Sequence, residues 1–235
     1  MRIRDQKVKM IVDDNNTGRL WHERRETIYD FVKQMCIEYN IDKSHDLEHA
    51  KDCVHFAEKL FQKQTHLENH KKDNDTQCVI FLSAALHDTI DSKYTKEFAS
   101  RAVTQVQLFL ESLPLRPDLI IAVLSIITTM SYSYLNKRRQ VGLSFPDHGQ
   151  WQHAYHIVRH ADLLCSFRVK RCFQYQKHIT PEIKNEDAMH SVRKLFQERV
   201  FAYKKNKWLT LEEAIELSVE LEKLARIDLE TFNYL

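Results

Sequence analysis

The sequence contains few residues that break helices or form tight turns. Its 235 residues include only 3 glycines and 4 prolines. Because a sheet of many short strands needs frequent turn residues, this scarcity favours long helices and predicts an all-α fold. Hydrophobic residues make up 43% and charged residues 29%, which is typical of a globular protein with a sizeable core.

Long apolar runs are also missing. No stretch is long and apolar enough to cross a bilayer, and the segment from Met1 to Met10 lacks the apolar region of a secretory signal. We therefore expect a cytoplasmic protein with no membrane partner. The net charge of +2 gives no chain-wide attraction to nucleic acid, which we do not expect as a partner either.

Paired cysteine motifs are absent as well. The chain has 5 cysteines, an odd number, and none belongs to a Cys-x-x-Cys pair. Most have apolar neighbours, so we interpret them as reduced core thiols of an intracellular protein, with no disulfide or zinc role. The cysteines are Cys36, Cys53, Cys78, Cys165 and Cys172.

Apolar residues recur at helical spacing along most of the chain. The segment 131–149 instead holds turn residues, which predicts a functional or mobile loop. Thr210 to Glu213 has the pattern of a capping box at the start of the last helix. The predicted helices span 19–40, 46–65, 78–86, 94–112, 118–130, 151–176, 185–205 and 210–228. The predicted regions are a polar segment 1–18, a helical core 19–176 and C-terminal helices 177–235 packed on that core.

Three short segments combine histidine and aspartate beside apolar residues. They are Ser44 to His49, His87 to Asp91, and His160 to Asp162. Imidazole and carboxylate groups at the ends of apolar helices are costly to bury unless something binds them, and a metal ion would do so. His49 also heads an apolar stripe that includes Cys53, one turn later.

We interpret His49, His87, Asp88 and Asp162 as the ligands of a divalent metal ion. Imidazole and carboxylate ligands suit Mn, Fe, Co, Zn, Ni or Mg. Neighbouring residues on a regular helix point about 100° apart, but the chain turns at the end of the helix, so His87 and Asp88 can reach one ion. Without His49 and Asp162, we would interpret His87 as a histidine that interacts with the helix dipole and Asp88 as a cap of the next element.

These segments resemble the HD-domain superfamily of metal-dependent phosphohydrolases, of the small stand-alone type. The match extends beyond the ligands to Asp42–His49, Ala84–Lys93 and Ile157–Leu164, and it covers about residues 25–175. The resemblance implies an HD-domain helical bundle with additional C-terminal helices. It also implies hydrolysis of a phosphate ester or anhydride of a nucleotide or small phosphorylated metabolite by an activated water, and it is compatible with a homodimer.

Further residues take roles in this hypothesis. Asp88 and Asp91 are the candidate catalytic residues, Asp91 for proton transfer, although it could instead cap the next helix. Leu163 replaces an arginine common in the family, so cations after it are candidates for phosphate binding. The candidate substrate-binding residues are His45, Lys93, Arg168 and Arg171. Each of these residues could instead have a purely structural role, as a helix cap or as a solvated surface charge.

Extra histidines leave two other functions open. His153, His156 and His160 share one helical stripe, but Asp162 points about 160° away from His160 on a regular helix. If His148 joined His153 or His156 as ligands, the protein would be a di-iron oxygenase. A non-catalytic nucleotide-binding regulatory protein is the third possibility.

Overall fold

The computed structural model describes residues 23–67, 74–90 and 96–232. Within these ranges the chain forms helices and no strand, which confirms the predicted all-α class. The α-helices are α1 Arg25–Glu38, α2 Leu47–Leu67, α3 Asn74–Leu86, α4 Lys96–Ser112, α5 Pro117–Thr129, α6 Tyr132–Gln140, α7 Gln152–Cys165, α8 Val169–Ile179, α9 Asn185–Leu195 and α10 Glu212–Thr231. Shorter helical turns span His87–Ile90, Gly149–Trp151 and Phe196–Val200.

Helix α3 lies at the centre of the bundle. Every residue from Cys78 to Leu86 is buried, since α1, α2, α5 and α7 all pack against this helix. Helix α5 is similarly apolar, and α2 packs along α7. The near-continuous apolar runs predicted for central helices are therefore the core of the fold.

The C-terminal helices pack onto this centre. Helix α9 lies against α8, and α10 contacts α2, α7 and α8. The buried guanidinium of Arg159 on α7 donates to the carbonyl of Trp208 at 2.6 Å, which ties the segment before α10 to the core. The chain after residue 176 thus shares one hydrophobic core with the helices before it.

Local interactions fix several helix starts. The Asp46 carboxylate accepts the backbone N–H of Glu48 at 2.9 Å and thereby caps α2. Ser131 caps α6 by accepting the backbone N–H of Tyr134 at 3.3 Å. Because of this cap and the buried Leu135, the segment 131–149 begins with a helix, and the prediction of a loop there was wrong for Tyr132–Gln140.

Other predictions of local structure were also wrong. The range 151–176 is divided into α7 and α8, because the chain turns after Cys165 and the Ser166 hydroxyl donates to the Leu163 carbonyl at 2.6 Å. The predicted capping box at Thr210 does not form, and Leu211 is the N-cap of α10 with no side-chain bond. The Thr210 hydroxyl lies instead 3.2 Å from Nε2 of His160.

Among the described residues, no single helix is both long and apolar enough to cross a membrane. Helices α5 and α6 reach the required length and composition only when taken together, and they bend by 68° where they meet. The five cysteines are free thiols, and four of them are buried, in agreement with the prediction of core thiols. The expectation that none of them has a metal-binding role does not fit Cys53, as described below.

Candidate metal centre

Three helical elements bring the predicted ligands to one buried point. His49 lies at the start of α2, His87 and Asp88 form the turn after α3, and Asp162 lies on α7. Nε2 of His49 lies 3.1 Å from Nε2 of His87, 3.0 Å from Oδ2 of Asp88 and 3.4 Å from Oδ1 of Asp162. Nε2 of His87 lies 3.2 Å from the same Asp88 oxygen and 3.8 Å from the same Asp162 oxygen.

The end of α3 explains how adjacent residues face the same point. The α-helix stops at Leu86, and His87–Ile90 continue as a tighter 3₁₀ turn. Nδ1 of His87 donates to the carbonyl of Ala84 at 2.9 Å. In the neutral ring this bond leaves Nε2 without a proton, so its lone pair faces the cluster.

One buried carboxylate oxygen at the centre has no hydrogen-bond partner of good geometry among the described residues. This atom is Oδ2 of Asp88, which faces the Nε2 atoms of both histidines. A buried carboxylate oxygen is costly without a donor or a cation. Since the facing imidazole of His87 offers a lone pair, the donor set of nitrogen and oxygen atoms fits a metal ion.

Cys53 belongs to this cluster, a role that the sequence analysis missed. It follows His49 by one turn of α2, and its Sγ lies 3.6 Å from Nε2 of His49 and 3.9 Å from Nε2 of His87. One potential ligand atom from each of His49, Cys53, His87 and Asp162 lies within 4.8 Å of all the others, a group that could hold a metal ion. The shared stripe of His49 and Cys53 was the signal available in the sequence.

Opposite charges perturb the titration of these side chains. Burial lowers the pKa of both histidines, but the facing Asp88 and Asp162 outweigh it and raise the pKa of His49 to about 9 and that of His87 well above its usual value. Burial raises the pKa of the carboxylates, but His87 and His49 hold the pKa of Asp88 and Asp162 well below its usual range. The cluster therefore attracts positive charge, as protons or as a metal ion.

Arg171 of α8 lies at the edge of the cluster. Its Nη1 lies 2.5 Å from Nδ1 of His49, which accepts a hydrogen bond from it when the ring is neutral, and its Nη2 lies 4.0 Å from Oδ1 of Asp162. A guanidinium is always charged and can only donate. Arg171 is thus the cation nearest to the proposed ligands among the described residues, on the side that opens to a cavity.

A cavity of about 280 Å³ adjoins the cluster. Asp88, Asp162 and Arg171 face it, together with residues from the start of α6 and from the chain after α9. Its polar and aromatic lining includes Ser44, His45, Ser131, Tyr132, Ser133, Ser166, Tyr175, Gln176, Arg199 and Tyr203. The volume suits a small ligand, and the ligand would lie directly against the carboxylates of the cluster.

The other predicted site residues have different positions. His45 lines the cavity, and its Nδ1 lies 2.7 Å from Oδ2 of Asp42. Arg168 does not line the cavity, and its exposed guanidinium pairs with Asp52 at 2.6 Å. Asp91 and Lys93 lie outside the described residues.

The additional histidines make contacts elsewhere. Nε2 of His160 accepts the backbone N–H of Thr210 at 3.0 Å, and its ring is fully buried. His148 lies within 3.1 Å of the hydroxyls of Ser125 and Thr129. His156 is 2.9 Å from the side-chain amide of Gln152. None of these histidines belongs to the one possible metal-binding group of the described chain, and neither does the exposed His153.

Comparison of the chain with protein-family models, with curated proteins and with solved structures gives no match. The functional interpretation therefore depends on the geometry of the cluster and its cavity, together with the motif resemblance described above.

Proposed function

We propose that this protein is a metal-dependent phosphohydrolase of the HD type, acting on a phosphate ester or anhydride of a nucleotide or small phosphorylated metabolite. The observation that carries this proposal is the convergence of His49, His87, Asp88 and Asp162 on one buried point beside a cavity. Their order along the chain is the order of the HD motifs. The folded chain adds a thiol, Cys53, to the same cluster.

The donor set favours a borderline or soft divalent ion. Imidazole nitrogens and a thiolate suit Fe, Co or Zn better than Mg, which prefers oxygen ligands. When bound, such an ion polarises a phosphoryl oxygen and lowers the pKa of a water molecule. Asp88 and Asp162 would hold the ion and neutralise its charge, and His49, His87 and the thiolate of Cys53 would complete the set of ligands.

Arg171 has a separate role toward the phosphoryl group. His49 can bind a metal through Nε2 only when its ring proton is on Nδ1, and a protonated Nδ1 cannot accept the bond from Arg171. With a metal on Nε2, Arg171 would therefore lose its bond to His49, and its guanidinium would be available to an anion in the cavity. A guanidinium binds two phosphoryl oxygens at once, which orients the phosphorus for attack by water.

The experiment is a metal analysis of the purified protein followed by a hydrolysis screen. Protein loaded with Fe, Co, Zn, Mn, Ni or Mg is incubated with a panel of nucleotides and phosphomonoesters, and released phosphate and pyrophosphate are measured. We expect release with at least one ion and none after chelation. Protein that retains one equivalent of metal and cleaves no member of the panel contradicts the proposal.

The same measurements separate the two alternative functions. A di-iron oxygenase requires two metal equivalents per chain, and histidines beyond the described cluster would have to supply ligands. A regulatory binding protein would hold a nucleotide tightly, in the presence of each metal, without turnover. Neither alternative has support from a specific contact among the described residues.

A further inference from the structure

The cavity wall carries a second arginine, Arg199, which the HD resemblance does not cover. It belongs to the π-helical turn Phe196–Val200, which continues α9 after Leu195. Single π turns within helices occur frequently at functional sites, because the wider turn displaces side chains from their regular positions. The C-terminal part of the chain thus contributes a cation to the cavity beside the metal cluster.

Aromatic contacts hold Arg199 in place. Its guanidinium carbon lies 3.5 Å from the centre of the Tyr132 ring, and that ring packs on Trp208 with centroids 4.5 Å apart. Its Nε donates to the hydroxyl of the buried Tyr203 at 3.1 Å. Because stacking and this bond fix the plane of the guanidinium, an anion that binds it restricts little additional motion.

The outer edge of this guanidinium is free to bind a ligand. No carboxylate in the described ranges forms an ion pair with Arg199, and its two terminal nitrogens have no hydrogen-bond partner there. The carboxylates that share the cavity, Asp88 and Asp162, are the proposed metal ligands. A second anionic group would therefore find an uncompensated planar donor at this position.

A short path connects Arg199 to the metal cluster. The Tyr203 hydroxyl, which accepts from Arg199, also lies 3.2 Å from the hydroxyl of Ser166. Ser166 follows Asp162 by four residues, which corresponds to about 6 Å along a helix. Arg199 and the cluster are thus close enough to contact one small ligand in the same cavity of about 280 Å³.

We propose that Arg199 binds a second anionic group of the substrate, so that the cavity selects small molecules with more than one phosphate over those with a single phosphate. This inference rests on the proposed phosphohydrolase function. One phosphoryl group lies at the cluster and Arg171, and the next phosphate contacts Arg199. The C-terminal segment is therefore part of the substrate site, and Arg199 is a specificity-determining residue.

The test compares the binding of tripolyphosphate and orthophosphate to full-length, metal-loaded protein by titration calorimetry. We expect Arg199→Gln to weaken tripolyphosphate binding by at least about tenfold, as expected for a lost charged hydrogen bond, and to leave orthophosphate binding within about twofold. Arg199→Lys keeps the charge but loses the planar arrangement of donors, so its affinity for tripolyphosphate should lie between those of the wild type and Arg199→Gln. The matched control is Lys194→Gln, an exposed cation on α9 that pairs with Glu198, which should change neither affinity.

A second variant protects the test against misfolding. Tyr132→Leu removes the ring under Arg199 and leaves the arginine itself, so it should reduce the preference for tripolyphosphate in the same direction. Thermal unfolding of each variant identifies those that fold. An equal loss for both ligands in folded Arg199→Gln protein, or no loss for either, overturns the inference.

Failure of the inference and failure of the proposed function give different results. If the wild-type protein cleaves phosphate compounds but Arg199→Gln leaves the tripolyphosphate affinity and the KM for nucleoside triphosphates unchanged, only the role of Arg199 is wrong. If the wild-type protein cleaves nothing yet binds tripolyphosphate through Arg199, the anion site is correct and the hydrolytic function is wrong.

Discussion

Nε2 of His49 and Nε2 of His87 lie 3.1 Å apart, although 38 residues separate the two histidines in the sequence. The neutral His87 ring donates its proton to the carbonyl of Ala84, so its lone pair points at His49 and at two carboxylates. This lone pair and the two carboxylates together attract a proton or a cation. This relationship is the basis of the proposed metal centre.

Removing a proposed ligand should remove the metal. We expect His87→Ala and Asp162→Ala to lower metal affinity by more than about tenfold, or about 1.4 kcal/mol, and to abolish hydrolysis. Metal content is measured by mass spectrometry after gel filtration, with circular dichroism as a check on folding. His55→Ala, an exposed histidine on α2, should retain the wild-type metal content. Wild-type metal content in His87→Ala protein would contradict the ligand assignment.

Cys53 should influence which metal the site prefers. In the metal-free protein, burial and the neighbouring Cys165 raise the pKa of the Cys53 thiol, so metal binding must displace its proton. We expect cobalt-loaded protein to show a thiolate-to-cobalt charge-transfer band that is absent in Cys53→Ser. Cys36→Ser, a half-buried thiol on α1, should keep the band. A band that survives in Cys53→Ser would exclude the thiol as a ligand.

The unfolding temperature of the metal-free protein and the additional stabilisation by metal should change with pH in opposite directions. A histidine pKa raised from 6.5 to about 9, as for His49, stabilises the metal-free fold below pH 6.5. This contribution is lost as the pH rises through about 9, whereas the lowered pKa of Asp88 and Asp162 keeps both carboxylates charged throughout that range. The unfolding temperature of chelated protein should therefore fall from pH 6.5 to 9.

Metal ions compete with the protons bound to His49 and His87. The increase in unfolding temperature on adding metal should therefore grow from pH 6.5 to 9. Scanning fluorimetry of chelated and metal-loaded samples measures both trends. Asp162→Asn should flatten the dependence in chelated protein, because one of the carboxylates that raise the histidine pKa is then neutral. An increase that shrinks toward high pH would contradict the proposed proton competition.

Arg171 should affect metal and phosphate binding in opposite directions. Arg171→Gln removes a cation that lies 4.0 Å from Asp162, and we expect metal affinity to stay equal or rise. The same change should weaken orthophosphate binding by about tenfold or more, since a charged hydrogen bond is lost. Calorimetric titrations with metal alone and then with orthophosphate separate the two effects. Lower affinity for both ligands would instead indicate a structural role.

Helix α3 should be critical for stability because it is buried on all sides. Leu86 is fully buried next to His87, and Leu86→Ala should lower the free energy of unfolding by about 2–5 kcal/mol through lost burial and a cavity. Ile121→Ala on α5 removes an aliphatic side chain that is 67% exposed and should have only a small effect. Urea denaturation measures both. Similar losses in the two variants would contradict the described packing.

Much of the fold could be predicted from local patterns. The scarcity of glycine and proline and the spacing of apolar residues predicted helices, and their order agrees with the structure through most of the chain. The failures lie where tertiary contacts compete with local signals. Thr210 has the sequence pattern of a helix cap, but its hydroxyl lies against His160. The Ser166 hydroxyl donates to the Leu163 carbonyl where α7 ends, although the apolar periodicity of the sequence continues beyond this point.

The sequence by itself determined the helical class and the residue types of the proposed ligands, since helical periodicity and short motifs are local properties of the chain. Only the tertiary structure decided which side chains share one point. It placed Cys53 among the proposed ligands, Arg168 on the surface beside Asp52, and Arg199 on the cavity wall. Such proximity depends on how helices pack, and a single turn such as Phe196–Val200 redirects a side chain without a signal in residue spacing.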